Sequence, residues 1–85
     1  MVKETWTLEV KYQDRNAQVK TWKMQGNFTG DNVEQIRGGL SRQMLAIANQ
    51  GLVMEDGPAA IVVIPAVDVL EVRAVKSLIV QAGVN

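Results

Sequence analysis

From Thr5 to Tyr12 the chain alternates: Trp6, Leu8, Val10 and Tyr12 fall on one face, Thr5, Thr7, Glu9 and Lys11 on the other. A period of two with β-branched and aromatic residues predicts a strand with one buried face. Asp14-Arg15-Asn16 marks a turn. A three-residue loop there places Asn16 in the left-handed region, which Asn tolerates. That register sets Leu8 opposite Trp22 and Trp6 opposite Met24. A two-residue loop at Arg15-Asn16 would instead set Lys20 against Lys11 and Lys23 against Leu8. Like charges directly opposite repel, which favours the three-residue loop. The second strand then runs from Ala17 to Met24 and stops near Gly26.

The period changes after Phe28. Val33, Ile36, Leu40, Met44 and Ile47 follow at spacings of three and four, the single apolar stripe of a helix. Asp31 as N-cap with Glu34 three residues on makes a capping box, whereas Thr29 as N-cap makes a hydrophobic staple of Phe28 and Val33. Asn49-Gln50-Gly51 ends the helix, with Gly51 free to take a left-handed cap. Leu52-Val53-Met54 reads as a short edge strand, and Glu55-Asp56-Gly57-Pro58 as a turn. Ala59 to Ile64 is apolar throughout, the mark of a strand buried on both faces, and Pro65 closes it. Val69 to Lys76 places Glu71 and Arg73 on one face and Leu70, Val72 and Ala74 on the other, a final strand. The tail from Ser77 to Asn85, with Leu78, Ile79 and Val80, extends that strand or pairs with a neighbouring chain. The order hairpin, helix, hairpin predicts one α+β domain spanning residues 1–85, in which the helix lies across one face of a mainly antiparallel sheet (ββαββ).

Composition narrows what such a domain does. With 85 residues the interior is small, and the 47% apolar fraction leaves side chains in need of cover, which self-association supplies. Nine basic and nine acidic residues cancel, which disfavours nucleic acid as a partner and favours association with itself. There is no histidine and no cysteine, so the commonest general base, the commonest metal ligand and any disulfide are missing. Met1-Val2-Lys3-Glu4 leads into the first strand without the apolar core of a secretory signal. The longest nearly apolar run, Pro58 to Val67, is half the roughly 20 residues of a membrane span. The expectation is a cytoplasmic protein without cofactor.

Candidate chemistry is sparse. Ser41 and Ser77 have only lysines (Lys3, Lys11, Lys20, Lys23, Lys76) to activate them, and these read as surface or terminal residues. Glu55 and Asp56 with Asp68 and Glu71 could converge on a metal across a hairpin, but Asp before Gly is ordinary turn chemistry. Trp6, Tyr12 and Trp22 could stack on a base or ligand, yet their alternation suits a core under the helix better. The expectation is therefore that the protein is not an enzyme. Gly38-Gly39 is harder to absorb, since each glycine inside a helix costs about 1 kcal/mol relative to alanine. The pair marks either a kink or a break between two short helices, or a smooth surface, shared with Leu45, that lets another backbone approach.

The strand hairpin, the one helix, and the strand ending in Ile64-Pro65-Ala66 before a Val-rich strand resemble small open reading frames of bacterial phages and prophages. The resemblance implies an accessory or interaction role and carries no functional residues with it. The functional expectation is a non-enzymatic, homo-oligomeric interaction module, with Gly38, Gly39, Leu45, Leu78, Ile79 and Val80 as its interface. The alternatives are a small inhibitor or adaptor of a host protein, a weak nucleic-acid binder using Arg15, Lys20, Lys23 and Arg37, and a small-molecule site in a cleft between subunits.

Overall fold

A computed structural model describes residues 1–55 and 57–77. Strands β1 (Val2–Gln13) and β2 (Val19–Gly30) form a long hairpin, followed by helix α1 (Val33–Gln50). Strands β3 (Leu52–Glu55) and β4 (Ile61–Ile64) form a second hairpin, and a 3-10 turn at Ala66–Asp68 leads into β5 (Val69–Lys76). The architecture is α+β in the expected order. Its strands are divided between two antiparallel sheets rather than gathered in one: β2-β1-β5, and the separate pair β3-β4.

The first hairpin turns on three residues, but one position later than Asp14-Arg15-Asn16. Asp14 Oδ1 accepts the backbone N–H groups of Asn16 and Gln18, each at 2.9 Å. The Asp14 N–H donates to the Gln18 carbonyl at 2.9 Å, and the Ala17 N–H to the Asp14 carbonyl at 3.0 Å. Asp14 is thus the first residue of the turn, where its carboxylate can gather N–H groups from the residues that follow. Ala17, not Asn16, takes the left-handed conformation, at φ 61°. The register moves by two, so Leu8 faces Met24 and Val10 faces Trp22, in place of the expected Leu8–Trp22 and Trp6–Met24 pairs. A shift of two keeps each side chain on its own face, so the apolar face is the one the alternation predicts.

Both strands outrun expectation. β2 passes through Gly26, which pairs with Trp6, and continues because Phe28 keeps the inward parity of Trp22 and Met24. Its ring lies against Gly26 and packs into the core. The helix cap is neither Asp31 nor Thr29 but Asn32, whose Oδ1 accepts the Gln35 N–H at 2.9 Å. Gln35 Oε1 reaches back to the Asp31 N–H at 2.9 Å, so a reciprocal cap forms one residue beyond the expected box.

The helix stripe covers the β1–β2–β5 sheet. Leu8, Ile36 and Leu40 are buried together with Trp6, Met24, Phe28, Met44 and Ala74 around them. A second cluster joins Val10 and Ile47 to Leu52 and Ile64 of the small sheet, with Tyr12 and Trp22 packed against it. The aromatic residues are therefore core, half-buried under the helix and the second hairpin. Gly51 joins the two: its N–H caps the Ile47 carbonyl at 2.8 Å, and at φ 92° it turns the chain directly into β3. A Cβ there would lie 2.2 Å from the Ile64 carbonyl oxygen, so both conformation and space demand glycine.

The expectation that Ala59–Ile64 is buried on both faces is overturned. The strand is Ile61–Ile64, and it alternates: Ile64 is buried, whereas Ile61 and Val63 are 71% and 60% exposed. A two-stranded sheet has this core on one side only, and among the described residues nothing covers the other. The expected tail residues Leu78, Ile79 and Val80 lie outside the described residues.

Candidate interaction surface

The two faces of the three-stranded sheet differ in chemistry. Outward, Glu9 stands between Lys23 of β2 at 3.4 Å and Arg73 of β5 at 2.6 Å. The Arg73 hydrogen bond, backed by Lys23, holds the Glu9 carboxyl below its usual value. Lys11 faces Glu71 across β1 and β5, and Thr5 Oγ1 donates to Asn27 Oδ1 at 2.7 Å. This is the solvated, threonine-rich face that the alternation predicts.

Inward, the sequence pattern conceals one residue. Strand β1 begins at Val2, so Glu4 shares the parity of Trp6 and Leu8 and points toward the helix side, only 9% exposed. Lys76, two residues beyond Ala74 on the same face of β5, meets Glu4 Oε2 at 2.6 Å. Trp6 Nε1 donates to the other carboxylate oxygen at 3.2 Å. The Lys76 hydrogen bond holds the Glu4 carboxyl below its usual value, against the effect of burial, and Trp6 and Arg37 add to it. A signal for it exists: extending the alternation by two positions puts a carboxylate in an apolar row, which demands a cation on the neighbouring strand.

Of the expected interface residues, Gly38, Gly39 and Leu45 lie on α1, and Leu78, Ile79 and Val80 lie outside the described residues. α1 is continuous through Gly38 and Gly39, which excludes the reading as two short helices. Both glycines border a groove at the helix start with Phe28 and Thr29. A Cβ on either would touch nothing nearer than the Arg42 guanidinium, at 3.8 and 4.0 Å. Leu45 lines a different groove, between the helix and β5. There Met44, Leu45 and Ala48 of α1 face Val69, Leu70 and Val72 of β5. Leu45 is 61% exposed and Leu70 51%. β5 is the end strand of its sheet, so this groove runs beside an edge that carries no further strand among the described residues.

Of the basic residues named for nucleic acid, Lys20 pairs with Asp14 at 3.1 Å, and Lys23 shares Glu9 with Arg73. Among the described residues no three carboxylates gather as a metal site, and no helix is long and apolar enough to cross a membrane. No protein-family model, curated protein or solved structure matches this chain, so its function has to be read from its own surfaces.

Proposed function

We propose that the chain is a non-enzymatic interaction and assembly module that associates with itself in the cytoplasm, in keeping with an accessory role in a phage or prophage. The observation that carries this reading is the groove between α1 and β5. Two leucines more than half exposed, Leu45 and Leu70, line it, next to a strand edge that carries no further strand among the described residues. Apolar side chains grouped along a strand edge are a template for association. Net charge of zero leaves no long-range repulsion between copies. The second apolar surface, Val53 and Val63 on the outer face of β3–β4, supports a second reading, an adaptor that also binds a different protein.

Sedimentation velocity at micromolar concentration tests the first reading. The wild-type chain should sediment as an oligomer. Leu45→Glu should shift it toward monomer with an unchanged circular dichroism spectrum, because a carboxylate in a dry contact costs several kcal/mol. A monomeric wild type would end the proposal. An unchanged oligomer in the variant would remove Leu45 from the interface.

A further inference from the structure

The segment from Asp68 to Lys76 reads D-V-L-E-V-R-A-V-K, and about Val72 it is an inverted charge palindrome. Acidic residues stand four and one positions before the centre, and basic residues stand one and four positions after it. The apolar positions are symmetric: Val69 with Val75, Leu70 with Ala74. This segment includes all of β5, the edge strand of the main sheet. Building on the self-association reading, we infer that two copies of the chain join by antiparallel pairing of β5 with itself, centred on Val72, to make one continuous six-stranded sheet.

The register follows from charge. In an antiparallel pair related by a two-fold axis through residue 72, Glu71 of each copy lies opposite Arg73 of the other. Leu70 lies opposite Ala74 and Val72 opposite itself, on the face that carries the helix. Asp68 lies in the 3-10 turn beyond the register shift at Leu70, and Lys76 is held by Glu4, so Glu71 and Arg73 are the charges that decide the register. Centring on Glu71 or on Arg73 instead sets like charges directly against each other, which is destabilising. Centring on Leu70 or Ala74 leaves both charges facing uncharged residues. Among residue-centred pairings from Leu70 to Ala74, only Val72 sets Glu71 against Arg73.

The rest of the outer face agrees. Within one copy Lys23, Glu9 and Arg73 already form a row across three strands, and Lys11 lies opposite Glu71. Pairing at Val72 continues that row as Lys23, Glu9 and Arg73 of one copy, then Glu71 and Lys11 of the second, alternating in sign throughout. On the helix face the exposed Leu70 gains an apolar neighbour, and the Leu45 grooves of the two copies flank the new seam. Charges on an edge strand ordinarily discourage pairing. Here their antisymmetric placement favours one partner, an identical strand running the other way.

The test uses two charge reversals in the full chain, Glu71→Arg and Arg73→Glu, each first checked for folding by circular dichroism. Either variant alone sets two like-charge pairs across the seam, and its self-association should weaken by roughly tenfold or more in sedimentation equilibrium. An equimolar mixture should associate again. One chain then carries arginine at both positions and the other glutamate at both, so each cross-seam pair is once more of opposite charge. Changes within each chain are the same alone and mixed, so recovery reports the contact between copies. A second measurement avoids charge reversal. The chain has no cysteine, so Glu71→Cys and Arg73→Cys can be mixed and oxidised. Directly opposite strand residues lie about 4.5–5.5 Å apart at Cα, within disulfide range. The mixed disulfide should outrun either self-disulfide. If the wild type is an oligomer but both reversals associate undiminished, or if mixing restores nothing, the β5 pairing is wrong while self-association stands. A monomeric wild type overturns both.

Discussion

The two hairpins of this molecule are built from opposite kinds of sequence. β1–β2 alternates, and its outer row is polar: Thr5, Glu9 and Lys11 on one strand, Thr21 and Lys23 on the other. β3–β4 carries apolar side chains on both sides, with Val53 facing Val63 on the outside and Leu52 facing Ile64 on the inside; its one polar residue is Glu55, opposite Ile61. The first states in its own sequence which face is covered. In the second, nothing in the run Ile61-Val62-Val63-Ile64 distinguishes the inner face from the outer one. An apolar run is compatible with two covered faces, or with one covered face and one awaiting a partner. The same contrast recurs within β5, whose polar face is marked by Glu71 and Arg73 while its apolar residues divide between the core (Val72, Ala74) and the surface (Leu70, Val75).

The sharpest test of that contrast lies under the helix. Leu40 is 3% exposed and belongs to the stripe that the 3.6 period defines. Leu40→Ala should cost about 2–5 kcal/mol in urea unfolding, the range for a buried leucine. A loss under about 0.5 kcal/mol would place Leu40 outside the core.

Next in size is the joint between the two regions. Gly51→Ala forces a side chain into φ 92° and against the Ile64 carbonyl. The conformation alone costs about 1–3 kcal/mol, and the contact adds to it. The damage should concentrate in the small sheet, so hydrogen exchange should rise at Leu52–Glu55 and Ile61–Ile64 more than in β1. Uniform exchange across both sheets would show that the second hairpin is not held through Gly51.

The helix glycines offer an effect of opposite sign. With only Arg42 near the two missing Cβ positions, Gly38→Ala should stabilise the chain by about 1 kcal/mol through helix propensity. A destabilised variant would mean that another backbone packs there, the smooth-surface alternative for the glycine pair.

What the sequence conveyed and what it withheld follow one rule. Patterns that repeat were legible: the strand alternation, the helix stripe and the polar face of the sheet. Features that depend on one side chain finding a distant partner were not. Asp14 fixes the turn by gathering two N–H groups, and that moved the register by two. Asn32 caps the helix because Gln35 is placed to answer it. Glu4 lies inward by strand parity, and the partner that makes this tolerable, Lys76, is distant in sequence. In the candidate interface, Leu45 was found from the helical wheel, but its neighbour Leu70 depended on β5 joining β1 rather than β4. That is a matter of topology, which local pattern does not carry. The inverted charges about Val72 were present in the sequence throughout. They acquired meaning once β5 was known to be an edge.

The smallest expected effect is the one that separates the two hairpins most directly. Val63 and Ile64 are adjacent on β4, one outward and one inward. Threonine keeps the β-branched shape and strand propensity of both; it replaces a methyl group of Val63, and the ethyl arm of Ile64, with a hydroxyl. At Ile64 that hydroxyl enters the cluster of Val10, Ile47 and Leu52, and an unpaired hydroxyl among apolar groups costs about 1–3 kcal/mol. At Val63 it faces outward, and the change should stay within about 0.5 kcal/mol. Urea unfolding of the two variants at low protein concentration measures the difference free of association. If Val63→Thr is as costly as Ile64→Thr, the outer face of β4 is packed within the single chain, and the contrast between the hairpins fails. If Val63→Thr is neutral when dilute but destabilising when concentrated, that face is a second contact between copies. Association would then extend beyond the β5 seam.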